Sequence, residues 1–188
     1  MSAVKTSDAI AYLLTKVPSA GRTQVVKFLF LADLEARKCL GKPLTDLNYV
    51  LDRHGPFDPT ILAKLDEMEE SGQISSERYS YRGNNCYSYA KNNKTPKVRL
   101  SAAKEAILSH VAELVRKSSL EKLLKAVYDT EPVVDAKRRR AFGRVLKMDA
   151  VNNDRRIRGL ELERVLKSIK ELDEGKGRDL QDVLAELD

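Results

Sequence analysis

Between Val25 and Leu34 the chain runs Val-Val-Lys-Phe-Leu-Phe-Leu-Ala-Asp-Leu, and nothing else in it constrains the fold as tightly. Val25, Val26, Phe28, Leu29, Phe30, Leu31, Ala32 and Leu34 leave no polar side to a helix, and a helix apolar nearly all round must be covered on most sides. It is the expected spine of the core. The helix is predicted from about Arg22 to Leu40, with Gly41 placed for a left-handed cap and Pro43 preventing resumption. Lys27 interrupts the run, which is about half the length a membrane span needs, so no membrane partner is expected.

Other elements follow from punctuation. Thr6 or Ser7 can cap a first helix through about Lys16, with Ile10, Leu13, Leu14 and Val17 inward. Asn48 to Arg53 reads as extended. Asp58 before Pro59 is a helix start, and Ile61, Leu65 and Met68 recur at helical spacing as far as Gly72. Residues 74–91 read as a β-hairpin. A three-residue loop at Gly83 to Asn85 would set Tyr81 opposite Tyr87 and Tyr79 opposite Tyr89, and that register is the expected one.

Ser101 then caps a helix with Ala103, Ile107, His110, Val111 and Leu114 inward, and Ser118 with Glu121 reads as a capping box for the next, ended by Pro132. Phe142, Val145 and Leu146 predict a further helix whose first turn would hold Lys137, Arg138, Arg139 and Arg140. Beyond about residue 150, Leu162, Val165, Leu166, Ile169 and Leu172 form one amphipathic stripe at helical spacing. Leu180, Val183, Leu184 and Leu187 form a second. The expected fold is mainly α with a small β-hairpin (α+β): a helical body over 1–150 with a winged-helix-like hairpin, and a C-terminal helical extension over 151–188.

The 188 residues are 42% hydrophobic and carry a net charge of +6. That is enough to build a core without staples and too little charge to identify a partner. Residues 150–188 hold 8 basic and 10 acidic side chains, so the rest of the chain carries about +8. Cys39 and Cys86 suggest neither a disulfide framework nor a metal spacing, and no positive-then-apolar leader opens the chain; a reducing cytoplasm is the expected setting.

Catalytic signals are thin. His54 has no nucleophile or acid at a telling spacing, His110 falls on an apolar face where a core histidine is expected, and no phosphate loop, zincin helix or nucleophile elbow occurs. No cofactor is implied, and an enzyme is the third-ranked expectation. The order helix, helix, hairpin is that of a winged-helix element, but the helix that would enter DNA carries Asp66, Glu67, Glu69 and Glu70 against Lys64. The four cations Lys137 to Arg140 could hold an anion, although such runs are commonly just solvated. The hairpin tyrosines could stack on bases, although such rings more often hold a hairpin together. A nucleic-acid-binding regulator is therefore the second expectation.

Thr23-Gln24-Val25-Val26-Lys27-Phe28-Leu29-Phe30-Leu31-Ala32-Asp33, then Gly41-Lys42-Pro43-Leu44, then Arg53-His54-Gly55-Pro56 resemble, in order, the opening helix, exit and Lys-Tyr-Gly-Pro turn of the Panacea domain of SocA-like antitoxins. Leu123 to Ala136 is similar to that family's Thr-His-x-Glu-Pro-Trp segment through Glu131-Pro132, with Tyr128 to Thr130 replacing the histidine step and Val133 standing at the tryptophan. The resemblance runs from about residue 7 to about 145. It implies a bacterial or phage-encoded cytoplasmic protein that binds and blocks a cognate toxin. Some members also act as adaptors that deliver a toxin to a Clp protease. It brings no catalytic residues, and Lys27, Asp33, Gly41, Pro43, His54, Gly55, Pro56, Glu131 and Pro132 are expected to hold the fold. The tail stripes lie outside it and are the expected contact with a toxin, a second copy (a homo-oligomer) or the chain's own body.

Overall fold

Helix α1 (Thr6–Lys16) buries Ala9 to Leu14 against α2 (Arg22–Leu40), whose residues Val25 to Leu34 are all buried. The computed structural model describes residues 3–81 and 83–148, and the two apolar tail stripes lie outside them. Between the two helices the short strand β1 (Ala20–Gly21) ends in the extended residue before α2, where Gln24 Oε1 accepts from Gly21 N at 2.8 Å. Gly41 closes α2 at φ 71°, the left-handed region where a side chain would be strained.

After α2 come β2 (Val50–Asp52) and β3 (Gly55–Phe57), an antiparallel pair, and then α3 (Thr60–Glu70). Asp58 starts α3 as expected: its Oδ1 accepts from Thr60 N at 2.9 Å and from Thr60 Oγ1 at 2.6 Å. Strands β4 (Ile74–Tyr81) and β5 (Asn84–Lys91) form the hairpin, and β1 adds to β5 to give the sheet order β1-β5-β4. Helices α4 (Ala102–Lys117), α5 (Leu120–Tyr128) and α6 (Glu131–Arg138) complete the described fold. With α1, α4 and α5 around it, α2 is the spine. The whole is a helical body with small antiparallel sheets, a mixed α+β fold.

Several expectations are corrected. The hairpin pairs Tyr81 with Asn84, leaving two residues in the loop instead of three, with Gly83 at φ 77°. Tyr87 therefore faces Arg78 and Tyr89 faces Ser76. Burial decides this register: Tyr89 is fully buried and β1 pairs through Ala20 opposite it, which outweighs cross-strand tyrosine pairing, and Tyr79 is left exposed. Helix α1 starts after Lys5, with no side-chain cap, so Thr6 and Ser7 lie in its first turn. Ser118 closes α4, and Ser119 caps α5 by accepting from Lys122 N at 3.3 Å.

Helix α4 is rotated from its expected setting. Ala106, Leu108, Ala112 and Val115 share the interior with Ala103, Ile107 and Val111, because alanines let the helix approach α1 and α2 closely, while His110 is exposed and Leu114 reaches the surface. Pro132 does not end α5, which stops at Tyr128; it sits in the first turn of α6, where a missing N–H costs nothing. The basic run begins in the last turn of α6 with Lys137 and Arg138 and continues through the cap Arg139 to Arg140, not in the first turn of a later helix, so its charge is favourable to the helix dipole. Residues 141–148 form no helix. They strap β2 instead, with Gly143 N donating to Leu51 O at 2.8 Å and Leu146 N to Tyr49 O at 2.7 Å.

Candidate partner-binding surface

Two sets of charged and apolar residues stand out, one inside the molecule and one on it. The inner set begins with the two charges of α2. Lys27 is buried, and its Nζ donates to Pro56 O at 2.9 Å. Burial pulls its pKa down to about 8, with the charge of Asp52 opposing that fall. Gly55, between Lys27 and α5, has φ 87°, and a Cβ there would stand 2.7 Å from Tyr128 Cε1, so only glycine fits the turn.

Six residues along α2, Asp33 accepts from Thr45 N at 2.7 Å, Thr45 Oγ1 at 2.5 Å and Tyr49 Oη at 2.9 Å. Burial raises its pKa, against the pull of those hydrogen bonds, and burial with the Asp33 charge holds the Tyr49 phenol well above its ordinary value. These groups pin the exit of α2 and the β2–β3 turn to the spine. Pro56 is buried and Gly41 closes α2, whereas His54 is exposed on the turn and Glu131 is exposed in the first turn of α6. Thr45 and Tyr49 were not legible as parts of this network, since sequence gives no sign that a hydroxyl is buried.

His54 has no titratable partner at hydrogen-bond distance among the described residues, burial pushes the Cys39 thiol up to about 11, and no group of three or more His, Cys, Asp or Glu is placed to hold a metal among those residues. Nor, among them, is any helix long and apolar enough to cross a membrane.

The outer set lies on α6 and the strap. Lys137, Arg138, Arg139 and Arg140 are all exposed. Lys137 Nζ stands 3.9 Å from the Tyr128 ring centroid and Arg139 Nε 2.9 Å from Asp135 Oδ1, while Arg138 and Arg140 have no ion pair among the described residues. Arg140 occupies the left-handed region at φ 53°, with its N–H bonded to Lys137 O and Ala141 N–H to Ala136 O, the Schellman end that glycine normally supplies. Beside the cations, Val134 is 48% exposed, Phe142 59% and Val145 63%, half of the exposed large hydrophobics among the described residues. Phe142 and Val145 flank β2, through bridges to Leu51 and Val50. Sequence reasoning found the cations but assigned Phe142 and Val145 to a further helix, where the structure has the exposed strap.

The buried struts, the glycine turn and the Glu-Pro helix start together hold the scaffold of the described fold. A family model described as antitoxin SocA-like, Panacea domain, matches residues 25–132, more than half of the chain, and the protein belongs to that family. The match is narrower than the resemblance had implied: it begins inside α2 and ends at Pro132, short of the basic run and the strap. Searches of curated proteins and of solved structures returned no match.

Proposed function

We propose that this protein is the antitoxin of a toxin–antitoxin pair and neutralises a cognate protein toxin by covering it. Membership of the antitoxin family carries the reading. Its division of labour supports it: the matched region contains the buried struts, while the exposed cations, Phe142, Val145 and the apolar tail stripes fall outside it, free to suit one particular toxin. Neutralisation needs no chemistry beyond coverage of roughly 800 Å² on each partner. In this reading the stripe Leu162, Val165, Leu166, Ile169 and Leu172 lies in a groove of the toxin.

Protein is favoured over DNA as the target because the helix that precedes the hairpin turns Asp66, Glu67, Glu69 and Glu70 outward, and a phosphate backbone repels that face. The experiment is co-expression with the protein encoded beside it. That protein should arrest growth alone, growth should resume with the full chain, and Leu166→Asp with Ile169→Asp should abolish rescue while leaving the antitoxin soluble. A fall in toxin half-life during rescue would add delivery to a Clp protease. Unimpaired rescue by the double variant would refute the tail contact.

A further inference from the structure

We propose that the acidic end of the chain, Asp179–Asp188, docks in cis on the basic, apolar face made by α6 and the strap. The face supplies half of the match. Arg138 and Arg140 are exposed cations without an ion pair among the described residues, and Phe142 and Val145, two and five positions after Arg140 in the chain, are 59% and 63% exposed. Large apolar side chains left so open next to uncompensated charge are a surface built to be covered.

The chain's own end supplies the other half. Residues 179–188 read Asp-Leu-Gln-Asp-Val-Leu-Ala-Glu-Leu-Asp, with acids at Asp179, Asp182, Glu186 and Asp188 and no base. Leu180, Val183, Leu184 and Leu187 recur at the spacing of one helical face, the pattern of an amphipathic segment that anchors in an apolar groove while its rim charges choose the partner. Signs and shapes correspond: acids to arginines, leucines to phenylalanine and valine.

Reach is sufficient. The described chain ends at Met148, directly after the strap, and 30 residues separate it from Asp179. Thirty residues can reach as far as roughly 100 Å when extended, and a segment tethered to the face within one chain meets it at an effective concentration of roughly millimolar, far above what a second copy offers at micromolar protein. Nucleic acid would satisfy the arginines but leave Phe142 and Val145 in water. The contact is independent of the toxin's identity and of whether neutralisation occurs.

The test is zero-length carbodiimide coupling of the full chain at low micromolar concentration, mixing heavy-isotope and light protein, with linked peptides read by mass spectrometry. Lys137 should couple to acids of 179–188 within single chains. Arg138→Glu with Arg140→Glu, and separately Leu184→Asp with Leu187→Asp, should each lower that yield about tenfold, as expected when two rim charges or two anchors are lost. The first pair alters exposed positions and the second changes no residue of the described core, so neither result can be put down to an unfolded core. Links mainly between heavy and light chains would overturn the proposal in favour of a second copy. Absence of links from 179–188, or a yield indifferent to both pairs, would overturn it outright.

Discussion

Helices α2 and α6 use charge in opposite ways. The first buries Lys27 and Asp33, each tied to groups on the β2–β3 side of the molecule, and the second sends Lys137, Arg138, Arg139 and Arg140 into water at its end. Buried charges with protein partners fix one arrangement and tolerate little change. Exposed charges contribute little to stability and are free to select what binds. The family match covers the first helix from Val25 and stops short of the second's cations.

Substitutions should expose the contrast as a gradient. Asp33→Ala orphans three buried donors, from Thr45 N, Thr45 Oγ1 and Tyr49 Oη, and should lower unfolding free energy by about 4–5 kcal/mol in urea titration. Gly55→Ala meets Tyr128 and a positive φ at once, and should lose about 3–4 kcal/mol by the same measurement.

Lys27 gives a pH test. Below pH 8 both folded and unfolded chains hold its proton, and the buried charge weighs on the fold in full; between about 8 and 10.5 the native state releases the proton first. Stability measured against Lys27→Met should therefore rise with pH across that window, by up to about 3 kcal/mol, and a difference flat in pH would show that the ammonium is not desolvated. On α6 the effects should be small. Arg140→Gly relieves the left-handed φ and should raise the melting temperature, with a gain of about 1 kcal/mol, whereas Arg138→Glu should change stability by less than about 0.5 kcal/mol. A large loss from Arg138→Glu would mean that this end of α6 is part of the scaffold.

What was legible in the sequence divides along the same line. The bounds of α2 followed from its apolar run and Gly41, and α3 from Asp58-Pro59 and Gly72, because those residue types have few other uses. The end of α6 was missed because Arg140 occupies the left-handed position that glycine marks elsewhere, so the basic run was assigned to the wrong end of a helix. The hairpin register went astray because paired tyrosines were weighed above the burial of Tyr89, a tertiary effect that no local pattern carries. Of the outer surface the cations were readable; Phe142 and Val145 look in sequence like any inward pair, and only the strap along β2 reveals that they face water.

Titration calorimetry of the full chain against the toxic protein whose growth arrest it relieves decides the matter. A one-to-one complex with Kd on the order of nanomolar is expected, weakened at least about a hundredfold by Leu166→Asp with Ile169→Asp. Relief of toxicity with no complex formed, or a complex indifferent to that pair, would contradict neutralisation by coverage through the tail.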